Sequence, residues 1–169
     1  MKWALAGNAL ADVARQSLAV QTRFLRERLE THLLGNHLWA NAKALVFAGT
    51  FFDGAEAEAW RVKGLALVRR ELEEQILPDG GHFERSPMYH AIVLEDLLDL
   101  LQLARVYPGL FTDEDVAAWR GIVLRMHRWL RVMTHPDGDI SFFNDAAFDI
   151  APALAPLTEY AAALGVVSL

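Results

Sequence analysis

The amino-acid sequence predicts an all-α protein made of antiparallel helical hairpins. Apolar residues recur in steps of three and four through most of the chain, as in Val116, Trp119, Val123, Met126, Leu130 and Met133, which is the spacing of an amphipathic helix. Val93, Leu97, Leu100 and Ala104 repeat the pattern, and so do Leu65, Val68, Leu72 and Ile76. Strict period-two alternation, the mark of a half-buried strand, is hard to find anywhere. Residues suited to starting helices also stand at regular intervals ahead of the periodic runs.

Taken in order, a first helix is expected over roughly 9–34 and a second over 37–52. They are broken at Gly35-Asn36, where Gly can end one helix and Asn can cap the next. Asp53-Gly54-Ala55-Glu56 has the form of a capping box and opens a third helix near residue 54. Ser86-Pro87 sets a cap residue before a proline at the first helical position, so a fourth helix starts near residue 87. Thr112-Asp113-Glu114-Asp115 loads a first turn with acid and opens a fifth near 113. A last helix is expected over about 153–164.

With 169 residues, 53% of them apolar, the chain can bury one sizeable core and is expected to form a single all-α domain over 1–169. It has no cysteine, so neither a disulfide framework nor a thiolate metal site is available. The start Met1-Lys2-Trp3-Ala4-Leu5-Ala6-Gly7 has too short an apolar run for a signal peptide, and the chain as given reads as soluble and cytoplasmic. No run approaches the roughly 18 to 20 apolar residues of a membrane span. The formal charge of −6 argues against nucleic acid as a partner, because counterion release needs basic patches. It also sits poorly with a polyanionic ligand unless a local cleft carries the opposite sign.

Short connections favour antiparallel neighbours, so the loops should alternate between two ends of the bundle. The turns at 52–54 and 107–112 then share one end, and the connections at 35–37, 78–86 and 135–145 share the other. Five of the six histidines, namely His32, His37, His82, His90 and His135, lie in or beside this second set, and function is expected there. Leu77-Pro78-Asp79-Gly80 and His135-Pro136-Asp137-Gly138 read as equivalent turns of a weak internal repeat, one helical hairpin per repeat. Hairpins of this size stack into solenoids or closed α/α toroids, which need about three units plus caps. Barely three are present, and the apolar tail Gly165-Val166-Val167-Ser168-Leu169 lacks a polar cap. An incomplete array is expected, with self-association through its exposed helix faces.

Three strings carry a family resemblance: Leu33-Leu34-Gly35-Asn36-His37-Leu38, Asn41-Ala42-Lys43-Ala44-Leu45, and the long Asp79-Gly80-Gly81-His82-Phe83-Glu84-Arg85-Ser86-Pro87-Met88-Tyr89-His90. Over roughly residues 17–155 the sequence resembles the N-terminal α/α toroid domain of heparinase II/III-like polysaccharide lyases. The resemblance implies β-elimination on a uronic-acid-containing glycan such as a glycosaminoglycan, with an acidic polysaccharide or oligosaccharide as partner and neither cofactor nor metal. It gives Asn36 the role of carboxylate neutraliser, His37 a place beside it in the cleft, and Tyr89 the role of general acid or base. His82, Glu84, Arg85, His90, Asn144 and Asp145 become candidate substrate-binding residues, with Phe142-Phe143-Asn144-Asp145 as a third cleft loop. Members of the family carry a β-sandwich after the toroid, with a further catalytic His, and nothing in these residues reads as strands of that kind. The chain is therefore expected to hold part of the machinery.

The residues themselves leave alternatives open. Asn36 is equally explained as a helix cap, and Tyr89 and His90 as packed first-turn residues. With Ser86 as cap, Tyr89 lies in a helix's first turn, where free N–H groups and the dipole favour anions. His82, Arg85 and His90 together suggest local cationic character, although His82 and Arg85 also suit a solvated loop. His127, inside a helical pattern, reads as structural, while His135 falls on the same rim as the candidates. Phe142 and Phe143 could stack on sugar rings or close the core. Two other chemistries fit the residue types: a hydrolase pairing Glu84 with Asp145 or Asp79, and a metal site from His82, Glu84 and His90. A sugar-binding or scaffold toroid without catalysis is the remaining alternative.

Overall fold

The computed structural model describes residues 10–33 and 35–168. The stretch Met1–Gly7, residue 9 of the first expected helix and Leu169 lie outside the described residues. Six helices follow one another: α1 Asp12–Glu27, α2 Asn36–Phe51, α3 Ala55–Gln75, α4 Pro87–Val106, α5 Asp113–Val132 and α6 Leu154–Ala163. Among the described residues the only β-type pairings are two isolated bridges, and the class is all-α. No helix among them is long and apolar enough to cross a membrane. The chain divides into two compact units, Met1–Glu73 and Glu74–Leu169.

In the first unit, α1 packs on α2. Leu45, Ala48, Ala57 and Trp60 form the buried centre, with Ala19, Leu25, Leu29, Phe52 and Leu67 around it. The backbones of α2 and α3 approach closely at Gly49, where a Cβ would lie 2.5 Å from the carbonyl oxygen of Ala57. Helix α1 stops at Glu27, well short of the expected residue 34. Tertiary partners end it: the Lys63 ammonium donates to the carbonyl of Arg26 at 3.2 Å, and the N–H of Glu30 turns away to Asn41 Oδ1 at 2.9 Å. The expected box at 53–56 gives way in the same manner. Helix α3 opens at Ala55, and both carboxylate oxygens of Glu56 are bound by Arg23, at 2.7 and 2.6 Å.

In the second unit α4 is the central helix, with α5 and α6 packed on it and on each other. Leu94, Leu97, Leu98, Leu100, Leu101 and Leu103 are all buried, the all-round apolar surface of a helix enclosed by neighbours. From α5 come Trp119, Val123, Met126 and Leu130, four of the six residues picked out by periodicity. Both expected helix starts hold. Ser86 Oγ accepts the N–H of Tyr89 with Pro87 in the first turn, and Thr112 and Asp115 form a reciprocal capping box. His127 Nε2 donates to Thr158 Oγ1 at 2.8 Å, the Thr158 hydroxyl itself donating to Leu154 O, and this ties α5 to α6 in keeping with a structural role.

The proposed internal repeat is visible in the backbone. Leu77 N–H bonds to Gly81 O and Gly80 N–H to Leu77 O; His135 N–H bonds to Asp139 O and Gly138 N–H to His135 O. Each turn is closed by its own aspartate, Asp79 accepting from Gly81 N–H and Asp137 from Asp139 N–H. Each is flanked by one antiparallel bridge, Ile76 with His82 and Thr134 with Ile140.

Candidate functional site

Within the second unit the connections 78–86 and 135–145 come together, as loop alternation predicts. Ser86 and Asn144 make the join from opposite sides. Ser86 Oγ donates to the carbonyl of Asp145 at 2.8 Å, and Asn144 Nδ2 donates to the carbonyls of Glu84 and Arg85 at 2.8 and 3.4 Å. Arg85 and Asn144 both hold positive φ, 55° and 51°, a conformation that costs a residue with a Cβ roughly 1 kcal/mol or more. Local strain at two touching residues is sustained here by the bonds between the two loops.

Ser86 is nearly fully buried and also caps α4. Its hydroxyl thus fixes two things together, the first turn that carries Tyr89 and the loop that carries Asp145. The Tyr89 hydroxyl meets Asp145 Oδ2 at 3.3 Å. The phenol is the donor and the carboxylate the acceptor. The same two loops border a cleft of about 510 Å³, lined by Asp79, His82, Arg85, Trp129, Phe143 and Asn144 among others. Phe142 and Phe143 are 57% and 53% exposed, so neither closes the core of the described residues. Gly81 faces Trp129, where a Cβ would lie 2.7 Å from the indole nitrogen, and the absent side chain keeps the loop seated on that ring.

The two histidines of the long motif are inside the protein. His90 accepts the N–H of His82 at Nδ1 (3.2 Å) and donates from Nε2 to the carbonyl of Met126 (2.9 Å), while its ring stacks on Trp129 at 4.5 Å. A backbone donor on one nitrogen and a backbone acceptor on the other define the tautomer as Nε2–H. His82 Nε2 bonds to Gln75 Oε1 at 2.9 Å, and its Nδ1 is buried with no partner among the described residues. Burial pushes both rings down to about 4. They are neutral near pH 7, which corrects the expectation of a cationic patch made by His82, Arg85 and His90: desolvation removes two of the three charges. Arg85 is exposed at the cleft.

No group of three or more His, Asp or Glu side chains among the described residues is disposed to hold a metal ion. Both nitrogens of His90 are already bonded, so the combination of His82, Glu84 and His90 does not form such a group. The carboxylates named for a hydrolase have other partners: Asp79 closes its own turn and Asp145 accepts from Tyr89. Glu84, half-buried, contributes its carbonyl to the join with Asn144. His135 is exposed, with Ser141 Oγ 3.4 Å from Nε2.

In the first unit, Gly35 occupies the cap of α2 and Asn36 stands at the first helical position. The cap explanation of Asn36 is thereby removed, since the side chain of a first-turn residue cannot serve as its own helix's N-cap. His37 follows in the same turn, exposed, with Nδ1 3.6 Å from Glu30 Oε1. Glu30, Gln75 and Trp129 have no signal in the sequence, because each looks like an ordinary helix-face residue until its partner is known, and Asn41 stands in a motif string that gives it no role.

The second unit is all-α, and its two polar loops line a cleft together with Trp129. The model for the heparinase II/III N-terminus matches residues 9–163, and the chain belongs to that family. Its fold is part of an α/α toroid, made of helical hairpins. The chain is 33% identical over 113 residues to the heparin-sulfate lyase of Bacteroides stercoris, covering 66% of this chain and 17% of the relative. It is 34% identical over 73 residues to the heparin-sulfate lyase of Pedobacter heparinus, covering 41% and 11%. Among solved structures, a crystal structure of heparinase III superposes with a TM-score of 0.62 at 25% identity, over 79% of this chain and 19% of that one. Heparan sulfate lyase HepC from Pedobacter heparinus gives 0.57 at 25% identity, over 72% and 19%. The chain therefore spans less than a fifth of the length of these relatives.

Proposed function

We propose that these residues supply part of the cleft of a polysaccharide lyase that cleaves a uronate-containing, heparan-type glycan by β-elimination. The observation that carries this reading is Tyr89 at the capped start of α4, its hydroxyl on Asp145, the residue that follows Asn144 of the cleft lining. The sugar carboxylate makes the neighbouring C5 proton very weakly acidic, so a site must stabilise the enolate-like state as it forms. The family motif gives that task to Asn36, with His37 next to it in the sequence. Tyr89 transfers the proton, taking it from C5 or giving it to the departing C4 oxygen, and Asp145 holds the phenol in one orientation. Arg85 adds positive charge at the cleft, and Phe143 offers a ring face to a sugar. His82 and His90 act from within, holding the loop that presents Arg85.

Tyr89→Phe tests the assignment in the full-length natural protein. With heparan sulfate as substrate, turnover to unsaturated uronate should fall by roughly 10²- to 10⁴-fold, while glycan binding stays within about twofold. Unchanged turnover removes Tyr89 from the chemistry. A properly folded wild-type protein that binds glycan and forms no conjugated unsaturated product would instead be the non-catalytic sugar-binding toroid.

A further inference from the structure

We propose that Glu30, clamped by Asn41, is a positioning residue that sets the tautomer of His37, an inference that rests on the lyase reading only for its catalytic consequence. His37 is more than half exposed on the first turn of α2, its side chain 55% accessible, so packing alone does not fix its ring. Glu30 lies in the connection that precedes this helix, and it is held from two sides. Its N–H donates to Asn41 Oδ1 at 2.9 Å, and its Oε2 accepts from Asn41 Nδ2 at 3.0 Å. The two bonds are of opposite polarity, so the Asn41 amide has only one orientation that satisfies both.

Asn41 is itself 8% exposed. A buried amide is costly unless bonded, and here both ends of the amide are used on one residue. The clamp ties up one carboxylate oxygen of Glu30 and leaves Oε1 facing His37 Nδ1 at 3.6 Å. That separation exceeds a hydrogen bond. Catalytic contacts are commonly long in the unliganded state and shorten when substrate binds.

A carboxylate opposite Nδ1 favours the tautomer with its proton there, as the orienting carboxylate does in a carboxylate–histidine pair. Nε2 then carries a lone pair on the side away from Glu30, ready to accept a proton or a hydroxyl hydrogen from a bound sugar. Without Glu30 the ring has no reason to leave the Nε2–H form that free neutral imidazole prefers, and the acceptor would point back at the protein.

The tautomer is read directly by nitrogen-15 NMR of histidine-labelled protein near neutral pH, with the His37 signals identified by their loss in His37→Gln. In the wild type the neutral His37 ring should be mainly Nδ1–H, and Glu30→Ala should return it to mainly Nε2–H. Because Glu30 is partly exposed, this variant should fold, and Asn41→Ala, which releases the clamp and leaves the carboxylate, should give an intermediate mixture. A wild-type ring already in the Nε2–H form, or one unchanged by Glu30→Ala, overturns the proposal. Heparan sulfate turnover gives a second readout: Glu30→Ala should lower kcat roughly ten- to a hundredfold with KM little changed, and the double variant with His37→Gln should lose no more than His37→Gln alone. If the tautomer shifts and the wild type has no lyase activity, the lyase reading fails and the positioning role stands.

Discussion

The turns that follow α3 and α5 have the same backbone and opposite surroundings. Both run Pro-Asp-Gly, both are closed by their aspartate, and Gly80 and Gly138 hold φ of 93° and 98°. Around Gly80 a Cβ would meet the backbone of Arg125 at 2.5 Å, whereas around Gly138 nothing lies within 4 Å. At the bridge position the first turn has His82, fully buried on Gln75, and the second has Ile140, half-buried. The repeat supplies a turn; what is packed beneath it decides whether the turn is a surface loop or part of a site. The buried turn continues into Arg85, Ser86 and Tyr89, and the exposed one into Phe143, Asn144 and Asp145.

Acid should expose the difference most strongly. The folded state holds His82 and His90 at about 4, below the ordinary 6.5 of a free ring. Below pH 6.5 the unfolded chain takes up protons that the fold refuses, so stability present above 6.5 is lost as pH falls towards 4. The loss is on the order of 3 kcal/mol for each ring. Unfolding in urea across that range should show it, and hydrogen exchange should report opening of residues 76–83 before residues 134–141. Acid opening of the second turn first would mean that the buried histidines do not hold the first one.

Alanine at the two glycines separates space from conformation. Gly138→Ala meets only the positive φ and should cost roughly 1 kcal/mol. Gly80→Ala meets the same φ and the backbone of Arg125 as well, and should cost about 3 kcal/mol or more. Thermal or urea unfolding of the two variants side by side gives the difference, and equal losses would show that the contact with α5 relaxes freely.

Local chemistry was legible in the sequence and tertiary chemistry was not. Ser86-Pro87 and Thr112-Asp115 announce their helices because cap and recipient are three residues apart. The Pro-Asp-Gly repeat is legible for the same reason, since every bond of each turn lies within it. A cap role for Asn36 follows from residue type alone, since Asn is a good cap, but Gly35 holds that place. The end of α1 depended on Lys63 and Asn41, far along the chain. The charge of His82 and His90 depended on burial, and His90 bonds to the carbonyl of Met126, 36 residues away. Motif strings pick out candidate residues; they carry no information about which of them are enclosed.

The smallest effects test the join between the two loops. Ser86 and Asn144 occupy equivalent positions of the repeat, and each donates to the backbone beside the other. Ser86→Ala removes a cap and a buried donor, a loss of about 1 to 2 kcal/mol. Asn144→Gly removes an exposed donor but relieves a positive φ, so the two contributions nearly cancel, to within about 0.5 kcal/mol. Stability and turnover should then part company. Asn144→Gly should leave the unfolding midpoint almost unchanged and still reduce turnover severalfold, because Asp145 loses the tether next to it and no longer holds Tyr89 in one orientation. A variant with full activity would show that Ser86 alone fixes Asp145, and that the strained pair at Arg85 and Asn144 serves the fold rather than the cleft.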